Sequence, residues 1–147
     1  MRKTSLILVL ALILTLVAVP VWAAPNASAI DRENPVQNGT QSMTMLQDGT
    51  SYIADAGGST LYISCQTYAY YSVPEIGLEI NVQRWNGSSW VTIQTIPFYN
   101  TYSNYIGKNI TVPAMSGYSY RLVTKHYCEN GANYEYLYTT TNGITVY

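Results

Sequence analysis

Residues 59–85 read STLYISCQTYAYYSVPEIGLEINVQRW, and the way this stretch divides decides the fold. Its first part alternates Leu61, Ile63, Cys65 and Thr67 against Tyr62, Ser64, Gln66 and Tyr68. Its last part alternates Leu78, Ile80 and Val82 against Glu79, Asn81 and Gln83. A period of two with one apolar face marks a strand with one side buried. Pro74 lies between the two parts and has no N–H to give to a ladder, so two strands joined by a turn at Pro74 are expected.

The same alternation recurs downstream in SWVTIQTI, NYIGKNITV, YSYRLVTKHYC, NYEYLY and a final GITVY. Turn residues separate these runs at Gly57-Gly58, Asn86-Gly87, Pro113 to Gly117 and Asn130-Gly131. Tyr and Thr favour strands, and neither an amphipathic helix nor an internal repeat is visible. About seven short strands in this length predict an all-β domain, a single antiparallel two-sheet sandwich.

Upstream, Arg2 and Lys3 precede the apolar run Leu6 to Val19, which only Thr15 interrupts, and Pro20 ends it ahead of small residues. That is the layout of a secretory signal peptide, and the run is short of the roughly 20 apolar residues a membrane span needs. Cleavage after Ala29 (residues 27–29, Ala-Ser-Ala) is preferred to cleavage after Ala23. An uncleaved anchor would still leave the remainder outside. The expected organisation is a signal peptide over 1–29, a polar leader over 30–50 with one edge strand near Met43 to Leu46, and the β domain over 51–147. From Ile30 onward five basic residues face eight acidic ones, a net charge of −3, with no charge run. Nucleic acid and anionic membrane surfaces demand clustered Lys and Arg, so neither is expected as a partner.

Two cysteines in an exported chain point to one disulfide. Cys65 shares its strand face with Leu61 and Ile63, and Cys128 shares its face with Tyr120, Leu122 and Thr124, so both point to the core. A bridge from Cys65 to Cys128 between opposing sheets, of immunoglobulin type, is the resulting expectation. A pair of free thiols for redox work or metal binding would call for a C-x-x-C type motif, which is absent.

Residues 83–91, QRWNGSSWV, followed by GYSYRLVTKHY and by T-x-G-I-x-V near the end, resemble a family of small exported β-proteins from Gram-positive bacteria. The resemblance covers roughly residues 50 to 147. It rests on Arg84, Gly87, Trp90, Val91 and the Gly117 to His126 strand, with Leu122 where Val is usual. It implies fold and compartment but no activity. The same strand is similar to fibronectin type III domains, in which a Gly-x-x-Tyr corner opens the strand, as Gly117 and Tyr120 do here.

Trp85 and Trp90 flank the Asn86-Gly-Ser-Ser turn. With the turn centred on Gly87 and Ser88, Trp85 faces Trp90, Gln83 faces Thr92 and Asn81 faces Gln94; the other side pairs Arg84 with Val91, Val82 with Ile93, and Ile80 with Thr95. The aliphatic side is the core side, so the indoles face outward, where a cross-strand aromatic pair clamps the hairpin. The neighbouring strands would add Arg121, Lys125, Tyr127 and some of Tyr134, Tyr136 and Tyr138 to that face. Flat rings edged by Asn, Gln, Thr and Arg suit a sugar or an extended peptide. The clamp alone explains the pair; the binding reading makes Trp85, Trp90, Tyr127, Arg121 and Lys125 the candidate site, with a glycan or an envelope protein as partner.

His126, the one histidine, shares parity with Cys128 and is read as a core-edge residue bonded to backbone rather than as a base. Glu75, Glu79, Glu129 and Glu135 fall at strand ends and on solvent faces, where nothing raises a carboxyl pKa as glycoside hydrolysis requires. Asp48 and Asp55 lack the spacing of a calcium loop, and no cofactor is expected. Asn38, Asn86 and Asn109 match a glycosylation sequon short enough to arise by chance. The leading expectation is an exported, non-enzymatic binding or accessory module at the envelope or outside the cell. A secreted antagonistic protein, toxin or bacteriocin-like, is the alternative, and a hydrolase comes third.

Overall fold

The computed structural model describes residues 43–147. The expected signal peptide over 1–29, most of the polar leader and the Asn38 sequon lie outside the described residues. The described chain forms one antiparallel sheet of six strands: β1 (Leu46–Asp55), β2 (Thr60–Trp85), β3 (Trp90–Pro113), β4 (Ser119–Asn130), β5 (Asn133–Thr140) and β6 (Ile144–Thr145). The fold is all-β as expected. Its N-terminal border lies earlier than residue 51, because β1 takes in Leu46 to Thr50.

The expected turn at Pro74 is absent: residues 60–85 form one 26-residue strand, and β3 runs antiparallel to it for 24 residues. The hairpin bends instead of breaking. Tyr68 pairs with Tyr105 and Val73 with Ser103, so Ala69 to Ser72 oppose the single residue Asn104. Tyr102, at φ 49°, supplies the matching kink on β3. Pro74 lies where β2 changes partners, beside the first β4 pair at Glu75, so its missing N–H costs no ladder bond. Pro74 is exposed and Glu75 half-buried, and there the burial alternation slips by one residue. The first half of β2 therefore buries odd positions and the second half even ones, and both faces meet in one core.

The sheet curls on itself. One leaf holds β1, the first half of β2 and the last part of β3; the other holds the first part of β3, the second half of β2, and β4 and β5, with β6 beside the start of β4. β1 crosses β4 and β5 between the leaves. The core they enclose includes Leu61, Ile63, Ile76, Leu78, Ile80 and Leu122, each fully buried. Tyr120 closes one end: its hydroxyl accepts the Met115 amide at 2.8 Å beside Gly117 at φ 83°.

Cys65 and Cys128 both point inward as expected, but they are free thiols and not a bridge. The Cys65 sulfur faces the Thr124 hydroxyl at 3.6 Å. Cys128 lies four residues further along β4, about 13 Å at the rise of an extended strand, which no disulfide spans. Sharing the core face satisfied the direction of both side chains and missed the register. Burial pushes the Cys65 thiol up, and burial with the nearby Glu135 carboxylate pushes Cys128 up to about 12. Thiols so protonated are poor nucleophiles. Mass spectrometry after alkylation without reductant should find neither cysteine modified in the folded protein and both modified after denaturation. A mass two hydrogens light would restore the bridge.

Candidate functional site

The second half of β2, with β3, β4 and β5, turns one face to the core and the other to solvent. The outward side chains form rows across the strands. One row holds Trp90, Trp85 and their neighbours; another runs from Tyr99 over Gly77 to Tyr127 and Tyr136. All five residues expected from the sequence lie on this face and are half-buried. They gather at two ends of it and not at one point. Trp85, Trp90 and Arg121 form one end; Lys125 and Tyr127, four and six residues along β4 from Arg121, belong to the other.

At the tryptophan end the expected register holds for Trp85 with Trp90, Arg84 with Val91 and Gln83 with Thr92. Beyond it β3 bulges at Ile93, so Val82 faces Gln94, Asn81 faces Thr95 and Ile80 faces Ile96, in place of the expected Ile93, Gln94 and Thr95. The bulge changes the phase of β3 and returns Ile96 and Phe98 to the core side, where both are partly buried against it. The two indoles sit 5.4 Å apart at 60°. Arg121 covers the Trp90 ring at 4.8 Å while its Nε donates to Gln83 Oε1 at 2.8 Å. The far edge of Trp90 rests on Gly143, where a Cβ would come within 2.9 Å of the ring. The turn is tied by Asn86 Oδ1, which accepts the amides of Ser88 and Ser89 at 3.0 and 2.9 Å. Trp90 is thus enclosed by the chain's own groups, which is the geometry of a clamp.

At the tyrosine end Tyr127 lies flat across Gly77, which leaves no room there for any side chain, and its hydroxyl donates to Glu75 Oε1 at 2.9 Å. Burial and the Glu75 carboxylate hold the Tyr127 phenol well above its ordinary pKa. Tyr134 stacks beside it at 5.6 Å and 25°, and Tyr136 and Tyr138 continue the series at 5.9 and 5.8 Å. The Lys125 ammonium stands 5.0 Å from both the Tyr134 and the Tyr136 rings, and its hydrogen bond to Tyr134 raises its pKa. Tyr99, on β3 opposite Gly77, is 63% exposed. Tyr134, Tyr136 and Tyr138 are exposed as well. Tyr134, Tyr136 and Tyr138 were only partly expected on this face, although their i, i+2, i+4 spacing already places them together.

His126 is not at the edge of the core but inside it, fully buried. The Thr67 hydroxyl donates to the Gly77 carbonyl at 3.2 Å, so it must accept the Nδ1–H of His126, at 2.8 Å. Nε2 then accepts from Thr139 at 2.9 Å, and Thr139 accepts from Ser51 at 2.6 Å. This chain of neutral bonds ties β1, β2, β4 and β5, and the imidazole lies on Gly49, which admits no Cβ there. Burial lowers the His126 pKa to about 4, against a smaller opposing pull from Asp48.

Glu135, expected as a solvated charge, faces inward over the start of β1. It accepts the amides of Thr44, Met45 and Leu46 at 2.8 to 2.9 Å and the Thr44 hydroxyl at 3.0 Å. Partial burial pushes its carboxyl up, and the bonds from Leu46, Thr44 and Met45 outweigh that and hold the pKa low. No sequence signal marks this role, because its partners lie about 90 residues upstream. Among the described residues no His, Cys, Asp and Glu cluster could hold a metal.

Among solved structures the chain is similar to the sporulation control protein Spo0M from Bacillus subtilis, at 9% identity and TM-score 0.44, over 71% of this chain and 50% of that one. It is also similar to a protein from Archaeoglobus fulgidus at 12% identity and TM-score 0.35, over 69% of this chain and 98% of the other. The chain spans about half the length of Spo0M. No family model and no curated protein matches it.

The buried imidazole and the enclosed indoles each have a measurable effect on stability. Unfolded chains take up a proton on His126 below pH 6.5, whereas the folded protein refuses it down to about pH 4. Stability should therefore be full above pH 6.5 and fall by about 3 kcal/mol as the pH drops toward 4. Denaturant titrations compared with His126→Gln isolate this loss, which the variant should lack. In the same assay Trp85→Ala should cost about 1 kcal/mol, and Trp90→Ala about 2 because it also loses the Arg121 contact; a cost near 4 would belong to a core indole.

Proposed function

We infer that the protein is an exported, non-enzymatic binding or accessory module that acts at the cell envelope or outside the cell, with the leaves of its curled sheet serving as the layers of an immunoglobulin-like sandwich. The apolar N-terminal run and the resemblance to small exported β-proteins of Gram-positive bacteria support the compartment. The observation that carries the binding reading is the exposed row of rings at the tyrosine end. Tyr127, Tyr134, Tyr136 and Tyr138 stand in ring contact on the sheet, with Lys125 over Tyr134 and Tyr136. Stacking rings with a cation and hydroxyls at hand suit a glycan or an envelope polypeptide.

The non-catalytic reading is supported by how the groups that catalysis would use are already engaged. Both His126 nitrogens bond to threonine hydroxyls, Glu75 holds Tyr127, and Glu135 holds β1. A general base needs a lone pair within reach of a substrate, and His126 offers none to solvent.

A glycan array combined with a pull-down from isolated cell envelopes tests the proposal. The unmodified protein should retain a ligand, and Tyr127→Ala and Lys125→Ala should lose at least tenfold in affinity while still folded. Trp85→Ala and Trp90→Ala should keep most of it. Equal losses in all four variants would move the site to the whole face, and no retention of any ligand would remove the binding reading.

A further inference from the structure

β5 forms one border of the sheet, and its backbone shows which way it points. The Thr141 amide donates to the Leu122 carbonyl at 3.0 Å, which makes Leu122 and Thr141 a hydrogen-bonded pair. Such pairs alternate along an antiparallel ladder, so Glu135, Leu137 and Thr139 turn their backbone groups toward β4. Those of Tyr134, Tyr136 and Tyr138 point away from the sheet. No other described residue takes them up.

The border along β3 is defended against a further strand. Pro97 gives it no N–H, its pairing register breaks twice, and Tyr102 adopts a left-handed conformation. β5 has none of these devices. Its register with β4 is unbroken from Asn133 to Thr140, and it carries no proline, no lysine and no outward charge. Its one carboxylate, Glu135, is turned inward onto β1. A regular, uncharged border with free backbone groups is a template for one more extended chain.

We propose that this border pairs with the same border of a second copy of the chain, antiparallel about a two-fold axis at Tyr136. In that register Tyr136 faces Tyr136 of the second copy, and Tyr134 faces its Tyr138. The β4 neighbours of Tyr134 and Tyr138 are Glu129 and Lys125. Each outer row of the joined sheet therefore runs from Glu129 through two tyrosines to Lys125 of the other copy, with opposite charges at its ends. An axis at Tyr134 would set Glu129 in line with its own counterpart, and an axis at Tyr138 would do the same to Lys125. The two-fold at Tyr136 sets opposite charges in both outer rows, and it joins the tyrosine rows of two copies into one continuous face. This pairing rests on the backbone and the charges, and it does not depend on what the face binds.

Sedimentation equilibrium of the full chain, after any natural processing, should show its mass rising from one copy to two with concentration. Tyr136→Lys places two like charges across the axis, and Tyr136→Pro removes only an N–H that points off the border, so both should remain single copies. Cα atoms in a hydrogen-bonded pair lie about 5.5 Å apart, within disulfide reach. Mild oxidation of Tyr136→Cys should thus link two copies covalently, with Cys65 and Cys128 shielded in the core, whereas Tyr99→Cys, on β3, should stay unlinked. Circular dichroism on each variant confirms that it is folded. A single-copy mass at every concentration, or pairs that survive Tyr136→Lys, would overturn the proposal. So would capture of an unrelated extended peptide at β5 by a protein that never pairs with itself.

Discussion

A 26-residue strand of twisted sheet cannot stay flat over its length, and β2 resolves this by bending at Ala69 to Ser72 together with its partner β3. Everything else depends on that bend. One hairpin supplies the centre of both leaves, so the inward rows of β2 on either side of the bend face each other without any sheet-to-sheet connection. β1 can pair only before the bend and β4 only after it, because the strand has rotated between the two places. The core is therefore one strand folded over itself and lined on each side by its neighbours. Where those neighbours cross, the chain from Ser51 through Thr139 and His126 to Thr67 joins them with directional bonds that apolar packing alone would not fix.

Glycine serves the rings of this fold in a consistent way. His126 lies on Gly49, Tyr127 on Gly77, Tyr105 on Gly107 and Trp90 on Gly143, and at each a Cβ would collide with the ring. Gly49 lets an imidazole sit flush in the core, whereas Gly77 lets a phenol lie on the outer surface, half-buried against Tyr134. The same contact thus gives packing inside and an aromatic floor outside. Exposure separates the two outer ends. Trp90 is half-buried between Arg121 and Gly143, while Tyr134 stays 42% exposed with Lys125 beside it.

Much of this was legible in the sequence where the signal is local. Alternation gave the faces of β2 and β4, and the Asn-Gly and Gly-Gly pairs gave three of the turns. Pro74 misled because proline marks turns in general and is equally at home where a strand has no ladder bond to lose. Cys65 and Cys128 misled because parity reports which face a side chain takes and says nothing of how far along the partner strand it lies. The bulge at Ile93 has no local mark, and it shifted three of the expected hairpin pairs. Glu135 was beyond reach, since its meaning lies in three amides at the other end of the chain. For the outward face, the five expected residues were placed on the right side, and the division into an enclosed end and an open end needed the contacts of Arg121 and Gly143.

The grip of Glu135 on Thr44, Met45 and Leu46 has a temporal side as well. The first described strand is held by nearly the last, with some 90 residues between them. A chain delivered from its N-terminus offers β1 long before β4 and β5 exist to receive it, and contacts of such separation close late. The β1–β2 and β2–β3 hairpins, whose partners adjoin in sequence, can form early. A polypeptide built this way stays open along the seam between β1 and β5 until β5 has emerged, and then shuts there.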